Sequence, residues 1–99
     1  MTVPAKLKVL QELHERGLQL QEAQPGSMHN EKAAWKERVD VALTSIFDYG
    51  STPYRLVLKL RRVRGYPIST NLEALKTAIS IIESGDPLGE LNRDSSLQP

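Results

Sequence analysis

The sequence predicts an all-α protein: a small three- to four-helix bundle with a flexible C-terminal tail. Three observations point there. Apolar residues recur at helical spacing in four segments of the chain. Prolines, glycines and short polar residues stand between those segments, where helices start and stop. Strand-like alternation occurs only in residues 53–64, and a lone strand would have no partner.

The first helix is expected from about Pro4 to Ala23. Proline is tolerated in a first turn, where its missing N–H has no helical partner. Val3, Leu7, Leu10 and His14 form a stripe, widened by Leu13, Leu18 and Gln21. Gly17 weakens its middle by about 1 kcal/mol relative to alanine, which points to a bend or a close helix contact. Pro25-Gly26-Ser27 breaks it.

For the second helix Asn30 serves as N-cap, with Glu31 at the positive end of the helix dipole. Trp35, Val39, Ala42 and Ile46 then fall on one face, widened by Leu43 and Phe47. This stripe suits a bundle core, with a groove-binding anchor as the alternative. Tyr49-Gly50 is expected to end the helix, with glycine taking the left-handed conformation.

Residues 53–64 read two ways. Tyr54, Leu56, Leu58 and Leu60 alternate with Arg55, Val57, Lys59 and Arg61, as in a half-buried strand. On a helix, Leu56, Val57, Leu60 and Val63 share one face while Arg55, Lys59 and Arg62 line another. Thr52-Pro53 resembles an N-cap followed by the first helical position, and Gly65 a stop. The helix is favoured. Thr70-Asn71-Leu72-Glu73 then has the pattern of a capping box. Leu72, Leu75, Ile79 and Ile82 follow at helical spacing until Gly85-Asp86-Pro87. Residues 1–85 are thus expected as one helical domain. Residues 86–99, polar and without amphipathic period, are expected as a flexible tail.

The chain has 99 residues, a size that buries a modest core, and such cores often gain from oligomerisation. Its net charge of +1 is unevenly spread. Residues 51–68 carry 5 basic and no acidic groups, residues 69–99 carry 2 and 5, and residues 1–50 carry 6 and 7. The basic segment Arg55, Lys59, Arg61, Arg62 and Arg64 is therefore the candidate partner- or anion-binding site, with Tyr54 and Tyr66 as flanking aromatics. Phosphates are met chiefly by Arg and Lys, and aromatics stack on bases. Yet strong overall basicity, the usual footprint of a nucleic-acid domain, is missing. Acidic residues of the C-terminal third could also pair with the block.

Cysteine is absent, which excludes disulfides, thiolate metal sites and a cysteine nucleophile. His14 and His29 lack metal-ligand spacing, and no serine sits in a nucleophile elbow. Gly50, Gly65 and Gly85 read as helix stops, with no phosphate-binding glycine cluster among them. Glu12, Glu15, Glu22, Glu37 and Asp40 read as solvated surface. No catalytic residue, metal or cofactor is expected, and the protein reads as a non-enzyme. The first residues lack a signal-peptide core, and no apolar run is long enough for a membrane span. A cytoplasmic setting is expected.

Trp35-x3-Val39-x3-Leu43-x2-Ile46-Phe47, Gly50-Ser51-x2-Tyr54 and Leu75-x2-Ala78-Ile79-x2-Ile82-Glu83-Ser84 resemble a bacterial helical module. That module precedes TIR-like, predicted nucleotide-binding effector domains in antiphage proteins. The resemblance spans about residues 31–84 and implies a helical interaction or regulatory role with no catalytic residue. This sequence departs from the pattern in having no effector domain after it, which implies an adaptor or an inhibitor. The functional expectation is a small protein-interaction module binding another protein, itself or both. The alternative is a binder of nucleic acid or a nucleotide second messenger through the basic segment.

Overall fold

A computed structural model describes residues 2–24, 26–63 and 65–92. Among them are four helices: α1 (Val3–Glu22), α2 (His29–Ile46), α3 (Thr52–Leu60) and α4 (Ile68–Glu83). The all-α expectation is met, and residues 52–60 settle as helix rather than strand. α4 packs against the other three helices, and α3 rests on α2 and α4.

Each helix starts for a local reason. The Thr2 hydroxyl accepts from the Ala5 amide at 3.2 Å to cap α1. The Ser51 hydroxyl accepts from the Tyr54 amide at 3.3 Å, so Ser51, not Thr52, is the cap of α3. α2 starts at His29, after a left-handed Met28 with φ 58°, and Asn30 lies inside it. α4 starts at Ile68, two residues before the expected capping box. Pro67 in extended conformation is its cap, and its carbonyl accepts from the Thr70 amide at 3.0 Å. α2 ends earlier than expected, at Ile46. Gly50, with φ 91°, instead occupies the third position of the turn closed by the Ser51 amide on the Asp48 carbonyl.

The core is aliphatic around two aromatics. Leu10 and Leu20 of α1, the Trp35, Val39, Leu43 and Ile46 stripe of α2, Phe47, Val57 of α3, and Leu72, Leu75, Ala78 and Ile82 of α4 are buried together. The buried face of α1 is rotated from the expected one. Lys6, Leu10, Gly17 and Leu20 point inward, while Val3 and Leu18 are exposed. The reason lies at Gly17. A Cβ there would stand 2.7 Å from Leu72 Cδ2 and 2.8 Å from Trp35 Cη2, so only glycine admits this approach of α1, α2 and α4. The Trp35 indole N–H donates to the Leu13 carbonyl at 2.8 Å and fixes the ring.

Residues 86–92, expected in the tail, return to the bundle as a strap. Asp86, in left-handed conformation, accepts from the Glu90 amide at 2.6 Å and the Leu91 amide at 3.0 Å. The Glu90 carbonyl accepts from the Asp48 amide at 2.8 Å, and its carboxylate from the Thr52 amide at 2.7 Å. α3 has no acidic residue in its own first turn, so Glu90 supplies the negative charge its N-terminus favours. The Asn92 amide donates to the Ile46 carbonyl at 2.7 Å, and Lys6 Nζ donates to the Asn92 carbonyl at 2.8 Å. The strap thus satisfies backbone groups that the ends of α2 and α3 leave unpaired. Residues 93–99 of the expected tail lie outside the described residues.

Candidate functional site

Of the five residues of the basic segment, Arg55, Lys59, Arg61 and Arg62 are described, and all four are exposed. Arg55 and Lys59 lie on the exposed side of α3, and Arg62 is exposed just after it. Arg61 is engaged: its Nε and Nη2 donate to both carboxylate oxygens of Asp40 at 2.8 and 2.6 Å. That bidentate bond, and then the carboxylate charge, hold the guanidinium pKa above its ordinary value. Asp40, read from the sequence as solvated surface, is thereby the α2 anchor of α3. Arg64 lies outside the described residues.

The flanking aromatics are also occupied. Tyr54 packs on Tyr49 with ring centroids 5.3 Å apart. Lys36 Nζ sits 4.4 Å over the Tyr66 ring and donates to the Tyr66 carbonyl at 2.6 Å. Burial first, and the nearby charge of Lys32 second, push the Lys36 pKa below the ordinary lysine value.

Among the described residues, no group of three or more His, Asp or Glu side chains converges on a metal-sized site. No described helix is long and apolar enough to cross a membrane. Asn71 Oδ1 is buried without a hydrogen-bond partner, but the cavity beside it, about 10 Å³, has room for no more than a water molecule.

A groove of about 730 Å³ lies on the outer side of α1 and α2. Val9 and Leu13 form its α1 wall, Ala34, Val41 and Ala42 its α2 wall, and Trp35 and Ile46 reach its floor. Glu12, Arg16, Glu37 and Arg38 also line it. The Val41 side of α2 stays open, and Val41 is 56% exposed. A smaller groove of about 490 Å³ lies between α3 and α4, where Leu56, Leu60 and Val63 meet Ala74, with Lys59 and Glu73 at its edge.

The sequence reading did not find the α1/α2 groove. Its signal was present in Val9 and Val41, two apolar residues that fall outside both core stripes. Glu12 and Glu37, expected as solvated surface, are exposed and line the groove. No family model, curated protein or solved structure matches the chain.

Proposed function

We infer that this protein is a non-enzymatic interaction module that docks another protein chain through the α1/α2 groove. One observation supports the reading above the rest: the two longest helices leave open a trough lined mainly by apolar side chains, with charges of both signs among them. That is the form of a helix-accepting groove, in which apolar anchors enter the trough and charges beside them set register. At 1.5 Å per residue, α2 offers about 18 Å between Ala34 and Ile46, room for roughly three turns of a partner helix.

An adaptor or inhibitor role in a bacterial or phage defence setting accords with this reading. The residues that resemble the antiphage module, Trp35, Val39, Leu43, Ile46 and Phe47, are buried here, so they speak for the scaffold and not for a contact. The alternative, a polyanion bound at the basic segment, is less well supported. Arg61 is tied to Asp40, and Lys59 shares its groove with Glu73.

A photo-crosslinking side chain at position 41, 62 or 83 of the full chain, in living cells, tests both. Position 83 is an exposed control on α4. Protein adducts at 41 and none at 83 are expected. Nucleic-acid adducts at 62 with none at 41 would replace this reading with the second, and silence at 41 and 62 would remove both.

A further inference from the structure

We propose that the seat under the 86–92 strap is a docking site for an extended, acidic–apolar segment of another protein, which the strap fills in cis as an autoinhibitory contact. The site is separate from the α1/α2 groove and adjoins it at Ser45 and Ile46. The chemistry of the seat carries the argument, because the strap shows what each part of it accepts.

Backbone pairing comes first. The Ile46 carbonyl accepts from the Asn92 amide at 2.7 Å, and the Asp48 amide donates to the Glu90 carbonyl at 2.8 Å. Phe47 and Leu91 thus face each other across one antiparallel β rung. Pairing of this kind takes any extended chain, and side-chain subsites select among chains. One subsite takes a carboxylate. The Thr52 amide opens α3, which has no acid in its own first turn, and the Glu90 carboxylate accepts from it at 2.7 Å. A second subsite takes an apolar side chain: Leu91 packs partly buried against the core. The third holds a carbonyl. Lys6, only 5% exposed, donates from Nζ to the Asn92 carbonyl at 2.8 Å. The occupant is therefore an extended chain with a carboxylate followed directly by an apolar residue.

The strap is the part of the described fold most readily exchanged. The buried core ends at Ile82, and the four helices pack on one another directly. Leu88 is 79% exposed, so Leu91 is the one apolar anchor of the strap. Hydrogen bonds to helix ends supply the rest of its hold, and water satisfies those groups when the strap lifts. Segments with few buried apolar contacts open locally, ahead of the core. Opening also releases Asp86 from its left-handed conformation at φ 53°.

A labelled peptide with the sequence of residues 86–92, acetylated and amidated, serves as the probe of the full chain, with fluorescence anisotropy as the readout. A peptide that competes with the strap binds in proportion to the open fraction. Saturable binding to the parent is expected. Glu90→Ala loosens the strap, so the chain carrying it should bind the peptide about fivefold tighter, with an unchanged helical circular dichroism spectrum. A peptide with alanine in place of its glutamate should bind the same chain about fivefold weaker. Amide exchange on the parent needs no substitution: the Asp48 and Thr52 amides should exchange faster than those of Val39 and Leu75. No saturable binding up to millimolar peptide, or binding indifferent to both changes, overturns the proposal. So does exchange at Asp48 and Thr52 as slow as in the core. A Glu90→Ala chain that dimerises in sedimentation velocity and binds no peptide overturns it as well, and makes the strap of a second copy the occupant.

Discussion

Replacing Gly17 with alanine sets two effects of opposite sign against each other. In an exposed helix interior the substitution stabilises by about 0.8–1.0 kcal/mol. In this fold the new methyl group stands 2.7 Å from Leu72 Cδ2 and 2.8 Å from Trp35 Cη2. Carbon atoms pack at about 3.5–4.0 Å, so the neighbours must give way. Trp35 is 3% exposed and held through its indole N–H by the Leu13 carbonyl; Leu72 is 5% exposed. Neither has solvent to move into. Overpacking of this kind costs about 1–3 kcal/mol, and with two hindered partners the upper part of that range applies. Subtracting the helical gain leaves a net loss of about 1–2 kcal/mol. For a domain of this size that lowers Tm by roughly 4–16 °C. Urea unfolding followed by helical circular dichroism reads it, with an unchanged slope marking a pure stability effect. Trp35→Phe, which removes the offending part of the ring, should reduce the penalty in a double-mutant cycle. A Gly17→Ala variant as stable as the parent would refute the packing argument. So would an equal loss in the Trp35→Phe background.

Glu90→Ala should cost about 1 kcal/mol, because α3 loses the carboxylate that accepts from the Thr52 amide. Faster amide exchange at the start of α3 would locate the effect, and an unchanged Tm would show that the strap does not hold it. Arg61→Glu sets a carboxylate against Asp40 and should lower Tm, whereas Arg62→Glu, exposed and without an ion-pair partner among the described residues, should not; equal effects would contradict the assigned anchor. Lys36 binds its proton less tightly in the folded chain than in the unfolded one. Its penalty is fully present below the lowered folded value and disappears as pH rises toward the ordinary lysine value. Stability should therefore gain with pH across that alkaline window, and Lys36→Met should flatten the gain. A fall in stability that Lys36→Met abolishes would reverse the assigned sign.

Helices, their order and most of the core are legible in the sequence because period and burial coincide in α2 and α4. Trp35, Val39, Leu43 and Ile46 form a stripe by spacing and are buried in fact. α1 misleads because its inward positions include Lys6 and Gly17, the two residues a hydrophobicity pattern discounts. Lys6 tolerates the inside because its ammonium reaches the Asn92 carbonyl, and Gly17 because the space is taken by Trp35 and Leu72. The strap escapes notice for a different reason. Asp86, Glu90 and Asn92 hold residues 86–92 by hydrogen bonds to the ends of helices, and such bonds leave no periodic trace.

The candidate site is the least legible part. Arg55, Lys59 and Arg62 do face outward as a helical reading requires, but the pairing of Arg61 with Asp40 spans α2 and α3 and is invisible along the chain. The groove needs two helices at once. Val9 and Val41 become a surface only when α1 and α2 lie side by side.

The claim that the outer face of α1 and α2 is a docking surface is tested most directly by the photo-crosslinking side chain at position 41 of the full chain in living cells. Protein adducts at 41, with none at the exposed control position 83 on α4, are the predicted result. Silence at 41, or equal adducts at 41 and 83, would contradict it.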